Sequence, residues 1–164
     1  MADENARDGK KSLLQTLAPH AGTLFTRGFR LQLAALCFRR NAGNGGIEIL
    51  LITSRDTGRW VIPKGWPMEG KKPHRAAAIE AMQEAGVSGE VGKKPVGNYI
   101  YLKTLADGDV APCMVDVYQI EVREQRNDFK EKGQRKLVWF TQDEAARRVR
   151  EVQLKALIAE FVPR

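Results

Sequence analysis

Short apolar runs separated by turn residues dominate the first third of the chain. FRLQLAALCFRR, residues 29 to 40, is apolar enough for a buried strand, and IEILLITS, 47 to 54, for a second. Between them NAGNGG, 41 to 46, is built from turn-forming residues, so 29 to 54 reads as a β-hairpin. DTGR, 56 to 59, then turns the chain into WVIP. Further on, VSGEVGKKPVG is loop-like with room for a short strand, and NYIYLKTL, 98 to 105, is β-prone. ADGDVAP, 106 to 112, breaks it, and CMVDVYQIEV, 113 to 122, alternates as a strand does. A polar loop, 123 to 134, leads to a last strand, RKLVWF, 135 to 140.

Two stretches depart from this pattern. Residues 63 to 87 read PKGWPMEGKKPHRAAAIEAMQEAGV. Pro63, Gly65 and Gly70 make a turn-rich loop, Pro73 suits the first turn of a helix, and the alanines after it favour helix. Gly86 fits the left-handed position just past a helix end. Near the C-terminus, Thr141 and Glu144 have the spacing of a capping box, and a helix broken once is expected to end near Phe161. SLLQTLA, 12 to 18, suits a short helix or a docking arm. We therefore expect a flexible or docking arm over residues 1 to 20 and a single domain over 21 to 164. Strands, helix, strands, helix suit an α/β class, an α/β/α sandwich with a mixed sheet.

With 164 residues, 43% of them hydrophobic, the chain suits one domain with a real core. Cys37 and Cys113 sit in apolar runs, which suits buried free thiols, and their spacing fits no zinc motif. The polar N-terminus lacks a signal-peptide core, and no apolar run reaches the ~18 residues of a membrane span. The expected setting is the cytoplasm, with no membrane partner.

A net charge of +7 implies a preference for anions. The basic residues are dispersed, and no paired-aromatic RNA-binding signature appears. A small, highly anionic phosphate substrate is therefore favoured over nucleic acid. Lys64 lies beside the loop, and Lys71, Lys72 and Arg75 add positive charge at the helix start, which itself attracts anions; together they suggest a polyphosphate cradle.

Glu80, Gln83 and Glu84 project from one helix face. Two glutamates one turn apart repel by roughly 0.2–0.5 kcal/mol in an isolated helix. A hard divalent cation reverses that sign, and carboxylate oxygens are what Mg²⁺ prefers. Taken alone, such a pair is usually a solvated face. His20 and His74 suggest no chemistry. Trp60, Trp66 and Trp139 read as core or loop packing, with base stacking an added option for Trp66.

The composite of loop, helix and stop resembles the Nudix box, G-x5-E-x7-R-E-U-x-E-E-x-G-U, with U apolar. Gly65, Glu80, Ala81, Glu84, Gly86 and Val87 match it without a gap. Lys71, Ile79 and Gln83 stand where the box has glutamate, arginine and glutamate. The resemblance covers about residues 27 to 150 and implies the Nudix fold. It is closest to the diphosphoinositol polyphosphate phosphohydrolases, which also cleave diadenosine polyphosphates, through ALCFRR, TSRDTGRWVIP, EAGVSG and RKLVWFTQDEA.

By position, the resemblance implies that Arg30, Ser54 and Arg55 hold substrate phosphates and that Lys136 is a basic contact. It implies that the Lys64 carbonyl, Glu80 and Glu84 ligate Mg²⁺ or Mn²⁺. Gln83 falls on the general-base position, where a glutamine cannot take a proton. The base is then Glu80 or a loop carboxylate, with Asp107, Asp109 and Glu131 as candidates. The implied activity is metal-dependent hydrolysis of a diphosphate in a dinucleoside polyphosphate or diphosphoinositol polyphosphate. Two alternatives stand beside it: a Nudix domain that binds a nucleotide or polyphosphate without turnover, and an RNA 5′-pyrophosphohydrolase.

Overall fold

The computed structural model describes residues 28–164. The arm expected over residues 1 to 20, including SLLQTLA and His20, lies outside the described residues. Among them the chain forms strands β1 (Arg30–Arg40), β2 (Ile47–Thr53), β3 (Trp60–Val61), β4 (Lys64–Gly65), β5 (Val87–Val91), β6 (Gly97–Thr104), β7 (Val110–Gln125) and β8 (Leu137–Thr141). The helices are α1 (Pro73–Ala85), α2 (Gln142–Arg148) and α3 (Val152–Glu160).

The strands make one mixed sheet, ordered β3-β2-β1-β7-β5, with β4 also paired to β1, β6 to β7 and β8 to β2. β1 and β7 run parallel, from Arg30 opposite Cys113 to Phe38 opposite Glu121, and the other pairs are antiparallel. The expected hairpin over 29 to 54 forms as β1 and β2. Both faces of β1 are buried. Ala34, Leu36 and Phe38 enter one core, while Leu33, Ala35 and Cys37 enter the other. The first core includes Ala145, Leu154 and Ile158 of α2 and α3. The second includes Ala76, Ala77, Ala81 and Ala85 of α1. Helices on both faces of a mixed sheet make the expected α/β/α sandwich. Each fully buried Leu, Ile or Phe contributes about 1.5–3 kcal/mol relative to an exposed one.

Several local expectations are refined. The segment after α1 is a regular edge strand, β5, paired to β7 with a register shift at Ser88/Gly89. β7 starts at Val110, inside the expected break, which shortens the turn to the residues around Gly108. The capping box is half made. Thr141 Oγ1 accepts from the Glu144 N–H at 3.3 Å, but the Glu144 carboxylate turns to Arg147 and Arg148 instead of the cap. The expected single break falls between α2 and α3. Cys37 and Cys113 are buried free thiols, and burial pushes Cys37 up to about 12.

Candidate active site

The site is built where α1 meets β4. Pro73 opens α1, and Gly86 ends it in the left-handed conformation, φ 67°. The face toward the sheet consists of alanines, and methyl-sized side chains let the helix axis approach β1 and β4 closely. The long glutamates beside those alanines then reach the β4 backbone. Glu84 Oε2 accepts from the Lys64 N–H at 3.1 Å. Glu80 lies against Gly65, where an added Cβ would overlap its carboxylate, only 2.8 Å from the farther oxygen. Gly65 is thus required by close approach; its φ is not in the left-handed region.

Arg135 supplies a second set of contacts. Its Nη2 lies 3.1 Å from Glu84 Oε1 and 3.4 Å from Glu131 Oε1, and its Nη1 donates to the Thr53 carbonyl at 3.0 Å. Its side chain is 8% exposed, so the ion pair is shielded from water, and its Nε has no partner among the described residues. Arg55 pairs with the same Glu131 oxygen, Oε1, at 3.1 Å and donates to Gln134 at 3.2 Å. The Glu131 N–H donates to the Gln83 carbonyl at 3.0 Å, which ties this loop to α1.

Burial pushes the Glu84 carboxyl up to about 7; Arg135, the Lys64 N–H and the Lys64 ammonium oppose this, and Glu80 adds to it. Burial also raises Glu80, with Glu131 adding to it and Lys130, Arg135 and Lys64 opposing. The Lys64 ammonium is pushed down to about 8 by burial, against the pull of Glu84, and lies 5.3 Å from the Tyr101 ring centre.

These groups line a cleft of about 490 Å³. Of the residues expected from the sequence, Ser54, Arg55, Lys64, Glu80, Gln83 and Glu84 line it together. Arg30 and Lys136 lie outside its lining. Arg30 is the exposed first residue of β1, and the Lys136 N–H donates to Thr53 Oγ1 at 2.9 Å. Lys71, Lys72 and Arg75, expected to form a cradle at the helix start, also lie outside its lining; the cleft is reached from later turns of α1. Of the three loop carboxylates, Glu131 lines the cleft, while Asp107 and Asp109 sit in the β6–β7 turn. Gln32, Asp56, Gly65, Trp66, Lys103, Lys130, Gln134 and Arg135 complete the wall.

The donor set fits a hard cation. Glu80, Glu84 and the Lys64 carbonyl offer only oxygen, and Glu80 makes no hydrogen bond or ion pair among the described residues. Among those residues no three His, Cys, Asp or Glu side chains converge as a metal cage. One or two carboxylates completed by water and substrate phosphate is the arrangement Mg²⁺ favours.

No protein-family model matches the chain. It is 28% identical over 119 residues to the mitochondrial Nudix hydrolase 12 of Arabidopsis thaliana, across 71% of this chain and 59% of that protein. It is 38% identical over 73 residues to the diphosphoinositol polyphosphate phosphohydrolase 3-beta of Bos taurus, across 44% of this chain and 42% of that protein. The chain thus matches about half the length of these curated relatives. In structure it resembles an Ap4A hydrolase of C. elegans, with TM-score 0.58 and 18% identity over 79% of this chain and 93% of that one. It also resembles the Nudix domain of Shewanella oneidensis NrtR, solved with ADP ribose, with TM-score 0.59 and 14% identity over 92% and 98%. The chain has the Nudix fold. Its sequence resembles Nudix hydrolases and diphosphoinositol polyphosphate phosphohydrolases, as the box implied.

Proposed function

We propose that the protein is a metal-dependent hydrolase of phosphorus-containing acid anhydrides, cleaving a diphosphate linkage in a polyphosphorylated small molecule. The observation that carries this is a pair of cleft-facing carboxylates, one without a partner, inside a wall bearing Arg55, Lys64, Lys103, Lys130 and Arg135. Glu80, Glu84 and the Lys64 carbonyl would hold the cation. When bound there, Mg²⁺ or Mn²⁺ supplies charge neutralisation at the diphosphate and lowers the pKa of a bound water.

The chain's own side chains do the rest. Arg55 and Lys130 offset the negative charge that develops on the phosphate oxygens. Ser54 lines the same wall as a neutral hydrogen-bonding group. Gln83 cannot accept the proton of an attacking water, and Glu131, carried on the loop that bonds to the Gln83 carbonyl, is the carboxylate we assign to that step. Dinucleoside polyphosphates and diphosphoinositol polyphosphates both present the required linkage, and the names of the relatives point to both classes. Two free thiols suit a reducing compartment, and we assign the cytoplasm.

A second reading, binding without turnover, is favoured by one observation: both Glu84 oxygens are already engaged, by Arg135 and by the Lys64 N–H. The test is phosphate release with Mg²⁺ or Mn²⁺ over dinucleoside polyphosphates, nucleoside triphosphates, nucleotide sugars and diphosphoinositol phosphates. Turnover of one class that a chelator abolishes is the expected result. No turnover of any class, with metal-dependent binding of one, would replace hydrolysis with the second reading.

A further inference from the structure

Glu84 is held from two sides. The Lys64 N–H donates to Oε2 at 3.1 Å, and Arg135 Nη2 donates to Oε1 at 3.1 Å. The first donor is backbone, fixed by the pairing of β4 with β1. The second belongs to a side chain that also reaches Glu131. A guanidinium and a divalent cation on one carboxylate repel each other. Arg135 and Glu84 are both nearly buried, so little water screens that repulsion.

Arg135 and Glu131 each keep an unused group. Arg135 Nε is buried and has no partner among the described residues. Glu131 Oε2 accepts no hydrogen bond among them. The two residues already meet through Nη2 and Oε1 at 3.4 Å, a long contact for a charged pair. The Nε–H and one Nη–H of arginine form a fork that matches the two oxygens of a carboxylate. A slight turn of the guanidinium, with Nη1 still on the Thr53 carbonyl, brings Nε to Oε2 and Nη2 to Oε1. A buried donor without an acceptor is costly, and this second arrangement satisfies it.

We infer that Arg135 is a two-position latch on the proposed cation site. It lies on Glu84 until a cation takes that carboxylate, and it then closes on Glu131 through Nε and Nη2. Arg55, which is exposed and shares Oε1 of Glu131, gives way. The main-chain tie from the Glu131 N–H to the Gln83 carbonyl is kept in both positions. Arg135 is thus a positioning residue with two effects. It weakens cation binding, and it orients Glu131 only once the cation is in place. The latch deepens the hydrolase reading by naming how its site is regulated, and it rests on that reading for Glu80 and Glu84 as cation ligands.

Two readouts other than turnover test it. Calorimetry gives Mn²⁺ affinity in the parent protein, Arg135→Met and Glu84→Gln. Removing the competing guanidinium should tighten Mn²⁺ binding about tenfold, within the roughly 5–150-fold range of ordinary coupling between sites. NMR of protein labelled at arginine follows the Arg135 Nε–H, assigned by its absence in Arg135→Lys. Saturating Mg²⁺ should shift this signal downfield and slow its exchange with water in the parent, and should leave it unmoved in Glu131→Ala. The NMR arm needs no Arg135→Met protein, so poor folding of that variant does not block the test. An Nε–H signal indifferent to Mg²⁺, a shift of parental size in Glu131→Ala, or Mn²⁺ affinity in Arg135→Met equal to or below the parent's would overturn the latch while Glu84→Gln still loses Mn²⁺. Equal Mn²⁺ binding by Glu84→Gln and the parent would instead remove the cation site itself, and the latch with it.

Discussion

Arg135 sets the charge balance of the cleft with one guanidinium, shielded from water and shared between Glu84 and Glu131. Removing it leaves two nearly buried carboxylates without their shared cation. We expect Arg135→Met to destabilise the metal-free protein by about 3–5 kcal/mol, the cost of breaking a buried ion pair on one side. Urea unfolding in the presence of chelator measures this, and a change below about 0.5 kcal/mol would mean the guanidinium does not hold the two acids. Glu80 and Glu84 were legible in the sequence because helical spacing is local: residues four apart share a face whatever the rest of the chain does. Arg135 was not, because it reaches Glu84 from 51 residues away and nothing in RKLVWF marks a partner on α1. Glu131 stood among three loop carboxylates of equal standing until the loop's bond to the Gln83 carbonyl singled it out.

At the scale of elements, the proposed site is built by β4 with α1. The alanine face brings the helix close, and Gly65 leaves room for Glu80. In Gly65→Ala the added methyl must displace the Glu80 carboxylate, the mobile end of a flexible side chain. We expect stability to change by less than about 1 kcal/mol, within the range of ordinary single substitutions, while metal-dependent turnover falls at least about tenfold. Gly86→Ala makes the contrast. Its φ of 67° and a backbone oxygen, Arg126 O, 2.9 Å from the new methyl leave no cheap relief, so it should cost more than about 1 kcal/mol of stability. Thermal melts and turnover of the two variants test both statements; a Gly65→Ala protein with parental turnover would remove close packing of Glu80 from the account. The β1–β2 hairpin, α1 and the broken C-terminal helix were readable because turn residues and periodicity act within a few positions. The β5 strand was readable only as room for a short strand in a loop-like stretch. VSGEV holds one fully buried apolar residue, Val87, and its strand geometry comes from pairing with β7.

For the whole molecule, the parallel β1–β7 pairing decides the architecture, joining residues about 80 positions apart in a register that no local pattern encodes. It places two cores on opposite faces of one sheet and leaves the helix with the glutamates on the face away from α2 and α3. The net charge of +7 gives the molecule a general attraction for anions, while in the cleft Arg55, Lys64, Lys103, Lys130 and Arg135 stand against the carboxylates of Asp56, Glu80, Glu84 and Glu131, a near balance that a bound cation would tip positive. The family resemblance connected Ser54, Arg55, Lys64, Glu80 and Glu84 before the fold did, while Lys103, Lys130 and Arg135 joined them only through the fold. Phosphate release by Glu84→Gln, compared with the parent protein on the substrate it turns over, tests the central claim most directly. Loss of one carboxylate of the proposed metal site should lower turnover at least about a hundredfold, on the order of the several kcal/mol that a bound metal contributes to charge stabilisation. Turnover equal to the parent's would contradict the assignment of this glutamate pair as the catalytic metal site.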